Sequence, residues 1–291
     1  MDREIWNQIC AAVRSADRRI RRTGRRPTFT DQQILKMLIW VGAHDRPLCW
    51  GCDRRHYSRL YRPARLPSIS QFCRRVKPAR IQAMLAAVNA YLTRSQRPTR
   101  RAFLDGKAMI LSDYTHDAEA RTGHASTGFA KGYKLHALAT QDGRIPAFTV
   151  TSLNVGEPNT ARRLTEAIEP HTLVLADANY DSCALYQAVA DRGARLLTPL
   201  KGRAREAQRL RRLPAARRQA IRRWDRHPAW CLGILHRRDA IDRIFGAMVS
   251  FGGGLHGLPP WVRRLDRVTR WITVKVVVYH ARLQHRHRAS A

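Results

Sequence analysis

The chain has 291 residues, with 54 Lys and Arg against 22 Asp and Glu, for a formal net charge of +32. All but seven of those cations are arginine, whose planar fork grips phosphate, so the composition points to a polyanionic partner with nucleic acid foremost. A hydrophobic content of 44% excludes a disordered basic tail, and no apolar run is long enough to span a bilayer. The opening Met1-Asp2-Arg3-Glu4 lacks a signal-peptide core, and the six cysteines read as reduced thiols, so a cytoplasmic protein without a membrane partner is expected.

The front of the chain carries helical periods. Residues 4–20 form one, with a basic face at Arg14, Arg18 and Arg19 that runs on into Arg21 and Arg22 before Gly24 and Pro27 break it. Thr30 with Gln33 offers a capping box for a second helix that buries Ile34, Leu35, Leu38 and Ile39 and stops at Asp45-Arg46-Pro47. Cys49 and Cys52 have zinc-site spacing with His56 and Cys73 nearby, but without a second such pair buried thiols are the simpler reading. Ser68 or Ser70 would cap a short helix, Gln71–Val76, followed by a longer one with Ile81, Met84, Leu85, Val88 and Leu92 inward. Arg74 and Arg75 on the short helix fit a DNA-reading element of the helix-turn-helix type, or equally a solvated basic face. The polar stretch Ser95-Gln96-Arg97-Pro98-Thr99 marks the domain boundary, giving a helical DNA-binding domain over 1–97 and a second domain over 98–291.

Beyond it the pattern turns to strands. Ala102–Asp105 and Met109–Leu111 are expected as strand segments on either side of Gly106, followed by a polar loop over Asp113–Lys131. Gly132–Leu138 alternates in polarity, and the Asp142-Gly143 turn leads to a strand over Arg144–Ser152. Lys131 and Lys134 are candidates for holding a phosphate backbone, although a solvated strand face explains them as well. A crossover helix over Glu157–Ile168 leads to the apolar run Thr172–Ala176, then to a helix over Ala184–Arg192 and a strand over Ala194–Pro199. This element order is RNase H-like: an α/β fold with a mixed sheet. Residues 201–228 form an arginine-dense insert, read as a helix lying along DNA outside the core.

Three carboxylates stand out against the positive background. Asp105 and Asp177 each follow a short apolar strand, where sites in α/β sheets gather. Asp177 is the candidate metal ligand, while Asp181, or else Ser182, fits an N-cap for the helix that follows. Asp239 and Asp242 share one face of a helix whose stripe is Ile241, Ile244 and Phe245. Two strand acids and a helix acid suit a two-metal phosphoryl-transfer site, because hard divalent ions need carboxylate oxygens.

The segments Leu104-Asp105-Gly106-Lys107, Gly132-Tyr133-Lys134-Leu135-His136, Leu153–Pro158, Leu175–Asp181 and Ile241–Gly246 with Ser250–Leu255 together resemble the DDE transposases of bacterial insertion sequences, in the RNase H-like superfamily. His44–Pro47 and Leu66–Ser68 extend the resemblance to the helical front, so that it covers nearly the whole chain. It implies that Asp105, Asp177 and Asp242 are catalytic and hold two Mg²⁺ (or Mn²⁺) ions; Lys134, His136 and Arg238 are candidates to position the scissile strand. It also implies double-stranded DNA partners (terminal inverted repeats and target DNA), a homodimer, and a place on the nucleoid. Asp242 stands where the family usually has glutamate, four residues after Arg238. Leu235 and Val249 replace the family's tyrosine and lysine. A decayed or domesticated copy that only binds DNA is the alternative, and a basic RNA-binding protein is a third.

Overall fold

The computed structural model describes residues 1–20, 24, 27–94, 98–112, 114–125, 128–201 and 212–289. The chain divides into two compact units, Met1–Arg94 with Ala247–Ala291, and Ser95–Gly246. The sequence reading assigned 98–291 to one domain, but residues 247–291 group with the helical front. The linker residues 95–97 lie outside the described residues.

In the helical unit, α1 (Arg3–Arg19) buries Ile5, Trp6, Ile9, Ala12, Val13 and Ala16 on one stripe and is capped by Asp2. Helix α2 (Asp31–Ala43) is capped by Thr30, but only half of the expected capping box forms: the Gln33 amide reaches away to the Arg65 carbonyl at 2.5 Å. Helix α3 (Ile69–Arg75) has a complete box made by Ser68 and Gln71, which decides between Ser68 and Ser70 as the cap. Helix α4 (Ala79–Leu92) and the C-terminal helix Leu265–Ala289 complete one apolar cluster in which Trp6, Ile34, Leu85, Val88, Val274 and Val277 meet. The fully buried Lys275 ammonium is held by the carbonyls of Gly42 at 2.6 Å and Gly253 at 2.9 Å and by the Asp45 carboxylate. A buried cation needs such pairing, and these bonds tie the C-terminal helix to the end of α2.

The second unit is built on a sheet. Strand β1 (Arg101–Ile110) runs through Gly106 and joins the two expected segments into one. The glycine answers a packing need: a Cβ at Gly106 would lie 3.0 Å from Lys134 Cδ and 3.2 Å from Glu157 Oε1. The supposed loop 113–131 contains strand β2 (Arg121–Ala125), antiparallel to the start of β3 (Gly128–Thr140). Both arms of this ribbon are largely exposed, so no apolar alternation announces them. Strand β4 (Ala147–Ser152) pairs with the later part of β3, whose opposite edge pairs antiparallel with β1.

Helix α5 (Glu157–Leu164) crosses to β5 (Leu173–Ala176), which runs parallel to β1. Helix α6 (Cys183–Ala190) then leads to β6 (Arg195–Leu197), parallel to β5. An antiparallel meander followed by two parallel strands reached through helices is the RNase H-like arrangement. Ala102, Leu104, Val174, Ala176 and Leu196 of the sheet pack on Ala161 and Leu164 of α5 and on Leu185 and Val189 of α6.

Helix α7 (Ala215–Arg226) corrects the reading of 201–228 as wholly outside the core. Arg217, Ala220, Ile221 and Trp224 are buried at helical spacing, and Trp224 Nε1 donates to the Thr198 carbonyl at 2.9 Å. Arg217, 1% exposed, makes a two-pronged ion pair with Asp181 and lies over the Tyr186 ring. Its side chain occupies an apolar stripe because Asp181 neutralises it. Asp181 is therefore not the N-cap of α6; Ser182 is, accepting from the Leu185 N–H. Residues 202–211 of the proposed insert lie outside the described residues.

Candidate active site

Strands β1 and β5 pair in register as far as Leu104 opposite Ala176. The next residue on each is an aspartate, so Asp105 and Asp177 stand side by side where the parallel pairing ends. From Asp105 onward the β5 side of β1 carries no strand among the described residues, and both aspartates line an open cleft of about 1250 Å³. Helix α8 (Pro228–Leu235) and a 3₁₀ turn at His236–Arg238 lead into α9 (Asp239–Val249), which brings Asp242 to the same cleft. Ile241, Ile244 and Phe245 are buried, and this orients the helix; Asp242 lines the cleft, whereas Asp239 does not.

Each carboxylate has its own electrostatic setting. Asp105 is pushed up to about 6, mainly by burial, with the charges of Asp177 and Asp242 adding to the shift. The Gly106 N–H at 2.8 Å and the Arg238 guanidinium at 3.7 Å oppose that shift only in part. Asp177 accepts from the Asn179 N–H at 2.8 Å and the Asn179 amide at 3.3 Å, so it caps its own turn while facing the cleft. Glu157, at the start of α5, pairs with Lys134 at 2.9 Å. The buried Tyr180 hydroxyl has no hydrogen-bond partner among the described residues, and burial together with the charges of Glu157, Asp105 and Asp177 holds its pKa well above the usual phenol value.

Among the described residues, no three His, Cys, Asp or Glu side chains are drawn together as a finished metal cage. The donor chemistry nonetheless fits a hard divalent cation: the carboxylates of Asp105, Asp177, Asp242 and Glu157 line one cleft, and the repulsion of Asp105 by Asp177 and Asp242 is what a cation relieves. Cys49, Cys52, Cys73 and His56 likewise form no such group among the described residues. Their cysteines are free thiols, and the His56 ring stacks on Trp50 at 4.4 Å.

A family model described as a transposase DDE domain matches residues 96–254. The chain belongs to this transposase family. No curated protein sequence matches the chain. Among solved structures, a cryo-EM piggyBac transposase synaptic complex with hairpin DNA is similar at 10% identity, over 99% of this chain and 73% of that one, with a TM-score of 0.47. At that score the likeness decides nothing about this chain's chemistry.

The transposase match spans all three cleft aspartates, but the residues nominated for DNA contact are scattered in their roles. Lys134 is nearly buried and held by Glu157, and Lys131 donates to the Thr115 carbonyl at 2.9 Å. His136 is 1% exposed, bonded to Thr151 Oγ1 at 2.9 Å, and pushed down to about 4 by burial and by the charge of Lys134. Arg238 faces Asp105. Arg75 pairs with Asp31, which also holds Arg80 at 2.7 Å, while Arg74 is exposed. Lys107, Glu157 and Asn179 line the cleft without having been nominated. Period-two alternation from Asp105 would have found Lys107, and its ammonium lies 5.9 Å from the centre of the Phe245 ring.

No helix among the described residues is long and apolar enough to cross a membrane. The helical unit holds a separate, mostly apolar cavity of about 330 Å³, with Leu38, Val41 and Trp271 in a lining that contains no carboxylate.

Proposed function

We propose that this transposase-family protein binds double-stranded DNA at transposon ends and catalyses hydrolysis and strand transfer of phosphodiesters. The carrying observation is the meeting of Asp105, Asp177 and Asp242, from two strands and a helix, in one open cleft. In this reading the three aspartates hold two Mg²⁺ or Mn²⁺ ions, with Glu157 within reach. When bound, such ions activate a nucleophilic oxygen and stabilise the leaving one.

The protein's own side chains supply the rest. Asp105 and Asp177 are fixed by strand register, and Asn179 orients Asp177. Arg238 offsets the charge on Asp105 and is placed to meet a phosphate when that pair opens. Lys107 adds a cation at the cleft, while Lys134 fixes Glu157. Arginine elsewhere on the surface provides sequence-independent affinity for the DNA backbone. A homodimer on nucleoid DNA accompanies this reading.

A decayed, DNA-binding copy is the second reading, favoured by Asp242 at the family's glutamate position. The deciding assay uses DNA carrying the inverted repeats that flank the gene. Mg²⁺-dependent nicking and end joining, abolished by chelator, is expected. Tight binding without cleavage in Mg²⁺ or Mn²⁺ would favour the decayed copy.

A further inference from the structure

The cleft has a second end that the carboxylate chemistry does not use. There the β2–β3 ribbon presents Phe129 with 73% of its surface exposed, and the His124 ring lies against it at 4.1 Å between centroids. The two are cross-strand partners, and both line the same cleft as Asp105, Asp177 and Asp242. Ile110, 42% exposed, extends this apolar surface along the free edge of β1. A large ring left in water at the rim of a polar cleft loses hydrophobic stabilisation unless something covers it. The ribbon is also one-signed. From Ala120 to Thr140 the sequence contains Arg121, Lys131 and Lys134 and no acid.

We infer that Phe129, backed by His124, is a stacking platform for a nucleobase of the DNA strand whose phosphodiester lies at the three aspartates. This rests on the transposase reading and deepens it. A nucleobase answers both features of the rim: it offers a flat π-face to the exposed ring, and its backbone brings negative charge to a ribbon without carboxylates. Stacking on an aromatic side chain is tolerant of sequence because every base has such a face. The platform would therefore position the strand and hold it open beside the acids, without dictating which base sits there. Gly123 on the same ribbon is set against the Leu153–Asn154 backbone, where a Cβ would overlap, so the platform is braced on its inner side.

The test uses the full chain and a duplex with a single-stranded extension carrying 2-aminopurine, whose fluorescence is quenched by stacking. Wild type is expected to quench it on binding. Phe129→Ala should lose most of the quench and weaken binding of the extended duplex about tenfold, and Phe129→Trp should restore both. Because Phe129 is exposed, its truncation leaves the fold intact, which circular dichroism checks. If Phe129→Ala binds and quenches like wild type while DNA cleavage proceeds, the platform is refuted and the transposase reading stands. If wild type binds no DNA of any form, both fall together.

Discussion

Leu104 and Ala176 face each other as the last paired residues of parallel strands β1 and β5, and the aspartate that follows each lines one cleft. The register of a buried, nearly continuous apolar pair thus sets the separation of two charges that no local sequence rule relates.

That placement has a measurable effect on stability. The Asp105 pKa is raised from 3.8 to about 6, so the folded chain binds this proton more tightly than the unfolded chain. Stability therefore falls as pH rises from about 3.8 to about 6, and the penalty, on the order of 2–3 kcal/mol, is fully present above that window. Asp105→Asn should raise the melting temperature at pH 8 in chelator and bring little gain at pH 3.5. Equal effects at both pH values would show that the carboxylate is not strained by burial.

Asp242 is one methylene shorter than the glutamate usual in the family. Metal clamps tolerate little displacement, since about 1 Å of misplacement can lower a rate on the order of 10²-fold. Asp242→Glu is expected to retain or raise Mg²⁺-dependent strand cleavage, measured on nicked and full-length DNA products. Loss of cleavage in that variant would mean a site refitted around the shorter acid.

The Arg217–Asp181 pair is a second buried commitment. Removing one partner strands the other charge, so Arg217→Met should destabilise the chain by about 3–5 kcal/mol in urea unfolding. Replacing both, Arg217→Met with Asp181→Leu, should recover much of the loss. A single variant as stable as wild type would contradict the buried pairing.

Arg74 and Arg75, adjacent in sequence, should separate in experiment. If Arg74 contacts phosphate, Arg74→Ala reduces the slope of log affinity against log salt by about 0.9 and leaves stability unchanged. Arg75→Ala should instead lower the melting temperature, because it removes one of the two guanidiniums that pair with the buried Asp31. The reverse pattern would reassign the two roles.

Much of this was legible in the residues. The run Leu173–Ala176 could hardly be anything but a covered strand, and the acids at strand ends and on the helix that carries the Ile241 stripe were visible through period and position. Arg217 was not, because an arginine at an apolar helical position reads as surface until its partner 36 residues upstream is known. The β2 arm was hidden since pairing with β3, rather than burial, makes it a strand. His136 reads as a cleft cation by motif but is buried against Thr151, whereas Lys134 does line the cleft and is held there by Glu157. The stripe of the last helix was plain, whereas its grouping with the helical front depends on long-range packing that a one-dimensional pattern does not carry.

The most direct test of the central claim, that three separated aspartates form one divalent-cation site, is a Mn²⁺ titration of the full chain followed by electron paramagnetic resonance. Two ions bound per chain are expected for the wild type, with binding at the site lost or weakened at least tenfold in Asp105→Asn, Asp177→Asn and Asp242→Ala alike. Unchanged Mn²⁺ binding in any one of these correctly folded variants would remove that aspartate from the site and contradict the account.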